Sequence, residues 1–284
     1  MQTDHETKSG GMRMKGVLRE NSLHRPLVTV VTAVFNGQPY LEGCLESVLR
    51  QDYPNIEHIV MDGGSSDGTL DVLRHYDDRI AFWKSGSDKG VYDAWNKALA
   101  EASGEWISFL GADDELLPGA VSAYVALAAM HPEAEYLSSR VRGVHDSGYE
   151  RITGGPWAWP EFSRWMCVAH VGSMHRRTLY NRLGTYDTSY RSAADYEFLL
   201  RAGLQLNTAF MPITTVVMRA GGVSDDTAAL VEATRAKITT GGRNKALADL
   251  ELRIAKAKFM IRPLRRVVGK ITAFRFGRSV GGTR

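Results

Sequence analysis

Cysteine is nearly absent: Cys44 and Cys167 are the only two among 284 residues. Two cysteines build neither a disulfide framework nor a cysteine-rich zinc site, so a reducing cytosol is the expected compartment. Long apolar runs are missing as well. No stretch reaches the roughly 18 to 20 apolar residues of a spanning helix. The polar, mixed-charge start from Met1 to Asn21 does not read as a signal peptide. Internal repeats and low-complexity tracts are lacking. Hydrophobic residues make up 44% and charged residues 24%, which excludes disordered and collagen-like classes. The length suits one large α/β domain or two small ones. A net charge of +3 conceals a split. Residues 235–284 hold 14 Lys/Arg against 2 Asp/Glu, or +12, leaving 21 against 30, or −9, in the rest.

Residues 1–26 have no periodicity and are expected to form a flexible tail. Leu27–Phe35 is a short β-branched run that predicts a strand buried on both faces. Ile56–Met61, Ile80–Trp83 and Glu105–Leu110 predict three more strands. Helices are expected after Pro39, over Thr69–Tyr76, over Gly90–Ala102 and from Pro118. Strand and helix thus alternate four times, which implies a mostly parallel sheet with helices on both faces. Ligands of such sheets bind outside the carboxyl ends of the strands. Asn36, Asp62, Asp88, Asp113 and Asp114 follow strand ends and are expected to converge there. After Tyr136 the pattern is less regular. A strand is expected near Val168–Met174, a helix near Ser192–Ala202, and two short strands near Thr208–Arg219.

Adjacent carboxylates at Asp113 and Asp114 repel each other, and a divalent cation would resolve the repulsion. A solvated turn is the alternative. The loop Asp62-Gly63-Gly64-Ser65-Ser66-Asp67-Gly68 would let a nucleotide approach the backbone. It misses the phosphate-binding P-loop because Thr69 stands where the lysine belongs. Asp67 reads as a helix cap. Asp62 ends an apolar strand, where a carboxylate needs donors.

Five segments in order carry a resemblance: VVTAVFNG (30–37), CLESVLRQDYPNIEHIVMDGGSSDGT (44–69), SDKGVYDAWNKAL (87–99), GEWISFLGADD (104–114) and RSAADYEFLLR (191–201). From Leu27 to Ser224 the chain resembles the nucleotide-sugar glycosyltransferases of family 2, which have the GT-A fold. The resemblance implies a Rossmann-like catalytic domain over 27–225. It also implies inverting transfer from a nucleoside-diphosphate sugar, with UDP as nucleotide, to a hydroxyl of a glycan or lipid-linked acceptor in cell-surface polysaccharide biosynthesis. Mn²⁺ or Mg²⁺ would be the cofactor. Thr32, Asn36, Asp62, Asp88 and Asp113 would contact the donor, and Asp113 and Asp114 the metal. Gly111 departs from the pattern, since the family often has Asp there. Asp195, in Ala194-Asp195-Tyr196, would be the general base; a helix N-terminal carboxylate is the alternative. His170 would lie beside the diphosphate or acceptor, or serve as a structural histidine. Trp157 and Trp159 would stack on acceptor sugars, or fill the core. Gly221–Ser224 resembles a loop near the family's active site.

Two other classes compete. A sugar-nucleotide pyrophosphorylase would be expected to carry a glycine-rich, arginine-containing loop after the first strand, and Val34-Phe35-Asn36-Gly37 is not one. A non-catalytic nucleotide-sugar or glycan-binding module would have no need of Asp62, Asp113, Asp114 and Asp195 together.

Residues 226–284 are expected to form a basic helical extension. Leu250, Ile254, Ala257, Ile261, Leu264, Val268 and Ile271 make one apolar stripe, with Arg253, Lys256, Arg262, Arg265, Arg266 and Lys270 on other faces and a kink at Pro263. An anionic membrane surface is the expected partner, which would make the protein peripheral on the inner face of the cytoplasmic membrane. Packing on the acidic body or on a dimer partner is the alternative. No nucleic-acid module accompanies the charge, so nucleic acid is not expected.

Overall fold

The structure is a computed structural model that describes residues 8–22, 24–145, 147–219 and 226–260. The β-branched run at Val28–Val34 forms β2, the centre of the parallel part of the sheet. Strand β3 (Ile56–Asp62) lies parallel on one side of it and β5 (Trp106–Gly111) on the other. Strand β4 (Phe82–Ser85) continues the parallel array beyond β3. Each strand is followed by a helix: α1 (Gln38–Leu49), α2 (Thr69–His75), α3 (Val91–Glu101) and α4 (Ala120–Met130). Side chains alternate across a strand. Val28, Val30 and Val34 therefore pack on the side of α1, while Val31 packs on the side of α3 and of α7 (Ala194–Ala202).

The other strands are β1 (Lys8–Gly10), β6 (Glu115–Leu116), β7 (Tyr136–Val144), β8 (Glu150–Thr153), β9 (Ser173–Arg176) and β10 (Thr208–Arg219), and two short helices, α5 (Trp159–Phe162) and α6 (Arg177–Leu183), precede α7. The sheet order is β1-β4-β3-β2-β5-β9-β7-β10-β6, with β8 on β7. The antiparallel strand β9 joins the parallel centre to the mixed end.

Several expectations need correction. Part of the expected tail is ordered: Lys8–Gly10 pairs antiparallel with β4, and Arg13 forms an ion pair with Glu57. Glu57 is buried and also accepts from Thr29 Oγ1 at 2.7 Å and the Ser103 amide at 2.9 Å. A three-residue edge strand has no period to read; its partner decides it. The strand expected near Val168–Met174 sits at Ser173–Arg176. The two short strands expected near Thr208–Arg219 are one, β10, with register shifts between Phe210 and Val216. Pro212 lies inside that interval and has no N–H for the ladder.

The boundary expected at 225/226 is not where the packing ends. Helix α8 (Thr227–Thr239) lies against α7 and buries Ala236 completely. A further helix, α9, spans 245–260. Its Glu251 carboxylate is shared by Arg243 at 2.6 Å, Lys237 at 3.1 Å and Arg164 at 3.3 Å. The stripe positions Ile261, Leu264, Val268 and Ile271, and the Gly221–Ser224 loop, lie outside the described residues.

Candidate active site

Parallel register brings the carboxyl ends together: Val34 is level with Asp62, Asp62 with Ser85, and Ala33 with Gly111. The turn after β2 is stitched to the loop after β3. The Asn36 amide donates to Ser65 Oγ at 2.7 Å, and Asn36 Oδ1 accepts from the Ser66 amide at 3.0 Å. Asn36 takes a left-handed φ of 50° to do so. Its side chain is thus a clip between two loops. Asp67 accepts from the Thr69 amide at 2.9 Å and the Gln38 amide at 3.1 Å, the first amides of α2 and α1, although the N-cap position of α2 is Gly68 and not Asp67 as expected.

Asp62 is buried under its loop. It accepts from the Ser65 amide and hydroxyl and from Ser85 Oγ at 2.6 Å, so a carboxylate at the end of an apolar strand has found its donors within the protein. Thr32 is a correction. Its parity along β2 points it towards α1, where it is fully buried and its hydroxyl meets His58 Nε2 at 3.0 Å. The side chain expected at the nucleobase does not reach the sheet edge.

The residue that sequence reasoning missed is Phe35. It is 67% exposed at the carboxyl end of β2, with its ring against Gly63. A Cβ on Gly63 would stand 2.7 Å from Asp88 Oδ2 and 3.3 Å from Phe35 Cδ2. The glycine therefore lets an aromatic ring and a carboxylate close on the same backbone. Asp88 is steadied through its other oxygen by the Gly90 amide at 2.8 Å. In the sequence Phe35 reads as the last letter of the apolar run, so its exposure gave no signal.

Asp113 is exposed and Asp114 buried, and both carboxylates lie over Gly111. A Cβ on Gly111 would fall 2.5 Å from Asp114 Oδ2 and 3.1 Å from Asp113 Oδ1. As these side chains stand, Asp114 occupies the space that a side chain at 111 would need. Asp114 Oδ1 accepts from the Arg219 amide at 2.9 Å. Burial, and then the charge of Asp113, push the Asp114 carboxyl up to about 7. Two hard oxygen donors that disfavour each other's charge suit a divalent cation. Among the described residues no group of three His, Cys, Asp or Glu is placed to hold a metal. We expect Gly111→Asp to lower stability by about 1–3 kcal/mol through overpacking. Urea unfolding checks this, and an unchanged midpoint contradicts it.

Asp195 lies in the first turn of α7, half-buried. Tyr92 Oη, one turn into α3 from Asp88, donates to its Oδ1 at 3.0 Å. That bond ties α7 to the carboxyl edge of the sheet. Glu232 of α8 holds the start of α7 by accepting from the Ser192 amide at 2.7 Å and the Arg191 amide at 2.9 Å. His170 is buried, stacks on Trp95 at 5.0 Å and meets Tyr186 Oη at 3.1 Å through Nε2, while its Nδ1 has no hydrogen-bond partner. Burial lowers its pKa, and the Asp195 charge opposes that. Trp157 packs on Phe162 at 4.1 Å and joins the core. Trp159 is half-buried beside it, with the two rings tilted at 6.4 Å.

The sequence pattern described as Glycosyl transferase family 2 matches residues 29–193, more than half of the chain. The chain belongs to that family. An uncharacterized glycosyltransferase of Mycobacterium tuberculosis is 36% identical over 184 residues, covering 63% of this chain and 70% of that protein. A PGL/p-HBAD biosynthesis glycosyltransferase of Mycobacterium bovis is 32% identical over 186 residues, covering 62% and 69%. A putative teichuronic acid biosynthesis glycosyltransferase of Bacillus subtilis, TuaG, is 40% identical over 94 residues, 32% of this chain and 37% of that one. The fold of this family 2 member is similar to that of S. aureus TarS in complex with UDP-GlcNAc. There the TM-score is 0.59 at 20% identity, with 83% of this chain and 72% of that one covered. The Pyrobaculum calidifontis mannosyltransferase PcManGT, in complex with GDP-Man and Mn²⁺, gives a TM-score of 0.58 at 18% identity, covering 93% and 86%. The mixed α/β architecture with a central parallel sheet is thus the GT-A arrangement.

Proposed function

We propose that this glycosyltransferase moves a hexosyl unit, with inversion, from a UDP-sugar to a hydroxyl of a glycan or lipid-linked acceptor in cell-surface polysaccharide or glycolipid biosynthesis. The observation that supports the reading is that Asp88 and the Asp113–Asp114 pair follow the carboxyl ends of β4 and β5 in one parallel array, with Asp195 hydrogen-bonded to Tyr92 of the helix that follows Asp88. The fold's likeness to TarS with bound UDP-GlcNAc supports the donor, and the names of the PGL/p-HBAD and teichuronic acid relatives support the pathway class.

The roles follow from chemistry. Phe35 offers a flat apolar face to the base, and Asp88 a carboxylate to the nucleoside. Asp113 and Asp114 would hold Mn²⁺ or Mg²⁺, which when bound acts as a Lewis acid towards the charge growing on the diphosphate. Asp195 has one oxygen engaged by Tyr92 and the other available for the acceptor. It takes the hydroxyl proton as the acceptor oxygen attacks the anomeric carbon from the face opposite the diphosphate. The bond from that carbon to the diphosphate oxygen breaks, and its electron pair leaves with UDP. Burial, and then the Asp195 charge, raise the Tyr92 pKa, so the phenol stays protonated and orients the base.

Thermal stabilisation by UDP-, GDP- and dTDP-sugars, with and without Mn²⁺, tests the donor side. UDP-sugars are expected to raise the melting temperature only with the cation, and Asp113→Ala to abolish the rise. Stabilisation by GDP-sugars alone would overturn the choice of nucleotide.

A further inference from the structure

Helix α9 has two apolar faces. One is used: Ala248 is fully buried, with Leu252 and Ala255 half-buried beside it. The other is not. Leu247, Leu250 and Ile254 are 50%, 54% and 47% exposed. At 3.6 residues per turn these three lie within about 60° of each other and about 130° round the helix from the packed face. The catalytic body therefore leaves the outward stripe uncovered. Helix α9 is nonetheless fixed to that body, because Glu251 is shared by Arg164, Lys237 and Arg243.

The charges around the stripe narrow its occupant. Arg253 flanks it on one side and Lys258 on the other, both exposed. Asp249 is paired with Lys245 at 2.7 Å, and Glu251 is taken up by its three cations. From residue 252 to the end of the sequence there are ten Lys/Arg and no Asp or Glu. A second copy of the chain would set one basic rim against another, since a two-fold contact pairs a patch with itself. A nucleic acid would answer the cations but leave Leu250 and Ile254 in water. An anionic lipid surface answers both, taking the stripe among its acyl chains and the cations among its headgroups. Arg164 adds a feature of the same kind. Its guanidinium stacks at 4.5 Å on the exposed Trp165, an amphipathic ring of the type that settles at membrane interfaces.

We propose that the outward face of α9, with Leu247, Leu250 and Ile254 flanked by Arg253 and Lys258, docks this protein on anionic membranes. The Glu251 cluster makes the docking rigid, so binding would fix the catalytic body at the surface. The proposal does not depend on the donor or the base assigned above; sedimentation tests it and transfer does not.

The full chain is mixed with vesicles of phosphatidylcholine and phosphatidylglycerol, or of phosphatidylcholine alone, and sedimented. Binding is expected only with the anionic vesicles and should fall as salt rises. Leu250→Glu with Ile254→Glu should cut partitioning about tenfold or more, because two charges replace two inserted apolar groups. Arg253→Glu with Lys258→Glu should do the same without touching the stripe. Leu204→Glu, 77% exposed in a turn after α7, should bind as the parent does. The proposal is overturned if the parent does not sediment with anionic vesicles, or if both double variants bind like the parent. It is also overturned if Leu204→Glu loses as much binding, or if the stripe variants instead dissolve a dimer.

Discussion

Asp195→Asn is expected to leave donor binding and folding intact while transfer falls by about 10²–10⁴-fold. The amide has the shape of the carboxylate, and its oxygen still accepts from Tyr92 Oη, so the start of α7 keeps its place. What disappears is the capacity to take a proton. The proposed donor contacts sit on other elements, at the ends of β2 to β5, and do not pass through Asp195. Measuring UDP release with acceptor alongside UDP-sugar-induced thermal stabilisation separates the two functions. Transfer near the parental rate would remove Asp195 from the base role. Loss of donor stabilisation would give it a role in ground-state binding instead.

A second large effect is on stability in acid. Among the described residues three histidines are buried: His58, His170 and His175. Burial lowers all three pKa values, that of His58 to about 3, whereas an unfolded histidine titrates near 6.5. Below about pH 6.5 the unfolded chain therefore binds protons that the folded chain refuses, and stability falls as pH falls. Each histidine that stays neutral in the folded state contributes up to about 1.4 kcal/mol per pH unit, and the Asp114 carboxyl, held up to about 7, offsets one of them because the folded chain takes up that proton first. Urea unfolding at about pH 7, 6 and 5 gives the slope. His58→Gln should start from lower stability, because the bond to Thr32 is altered, yet show a slope smaller by about one proton. A flat profile would mean that the histidines charge in the folded state.

The parallel centre was legible because its strands are buried on both faces, and burial writes itself as unbroken apolar runs such as Val28–Val34. Once the strand ends were known, topology alone brought Asp62, Asp88 and Asp113 to one edge. What each side chain does there was not legible. Thr32 turns inward and Phe35 outward for reasons of parity and exposure, which a run of apolar letters does not separate. That the Asp114 carboxylate lies in the space beside Gly111 was no more legible. The edge strand β1 and the used face of α9 depend on partners distant in sequence, so local pattern had little to offer.

The grip of Glu232 on the backbone of residues 191 and 192 also bears on how such an enzyme can be shortened or grafted. The family pattern ends at residue 193, two positions before the candidate base and well before the carboxylate that holds its helix. A transplant cut to the matched segment would leave behind both Asp195 and the Glu232 carboxylate that holds the start of its helix.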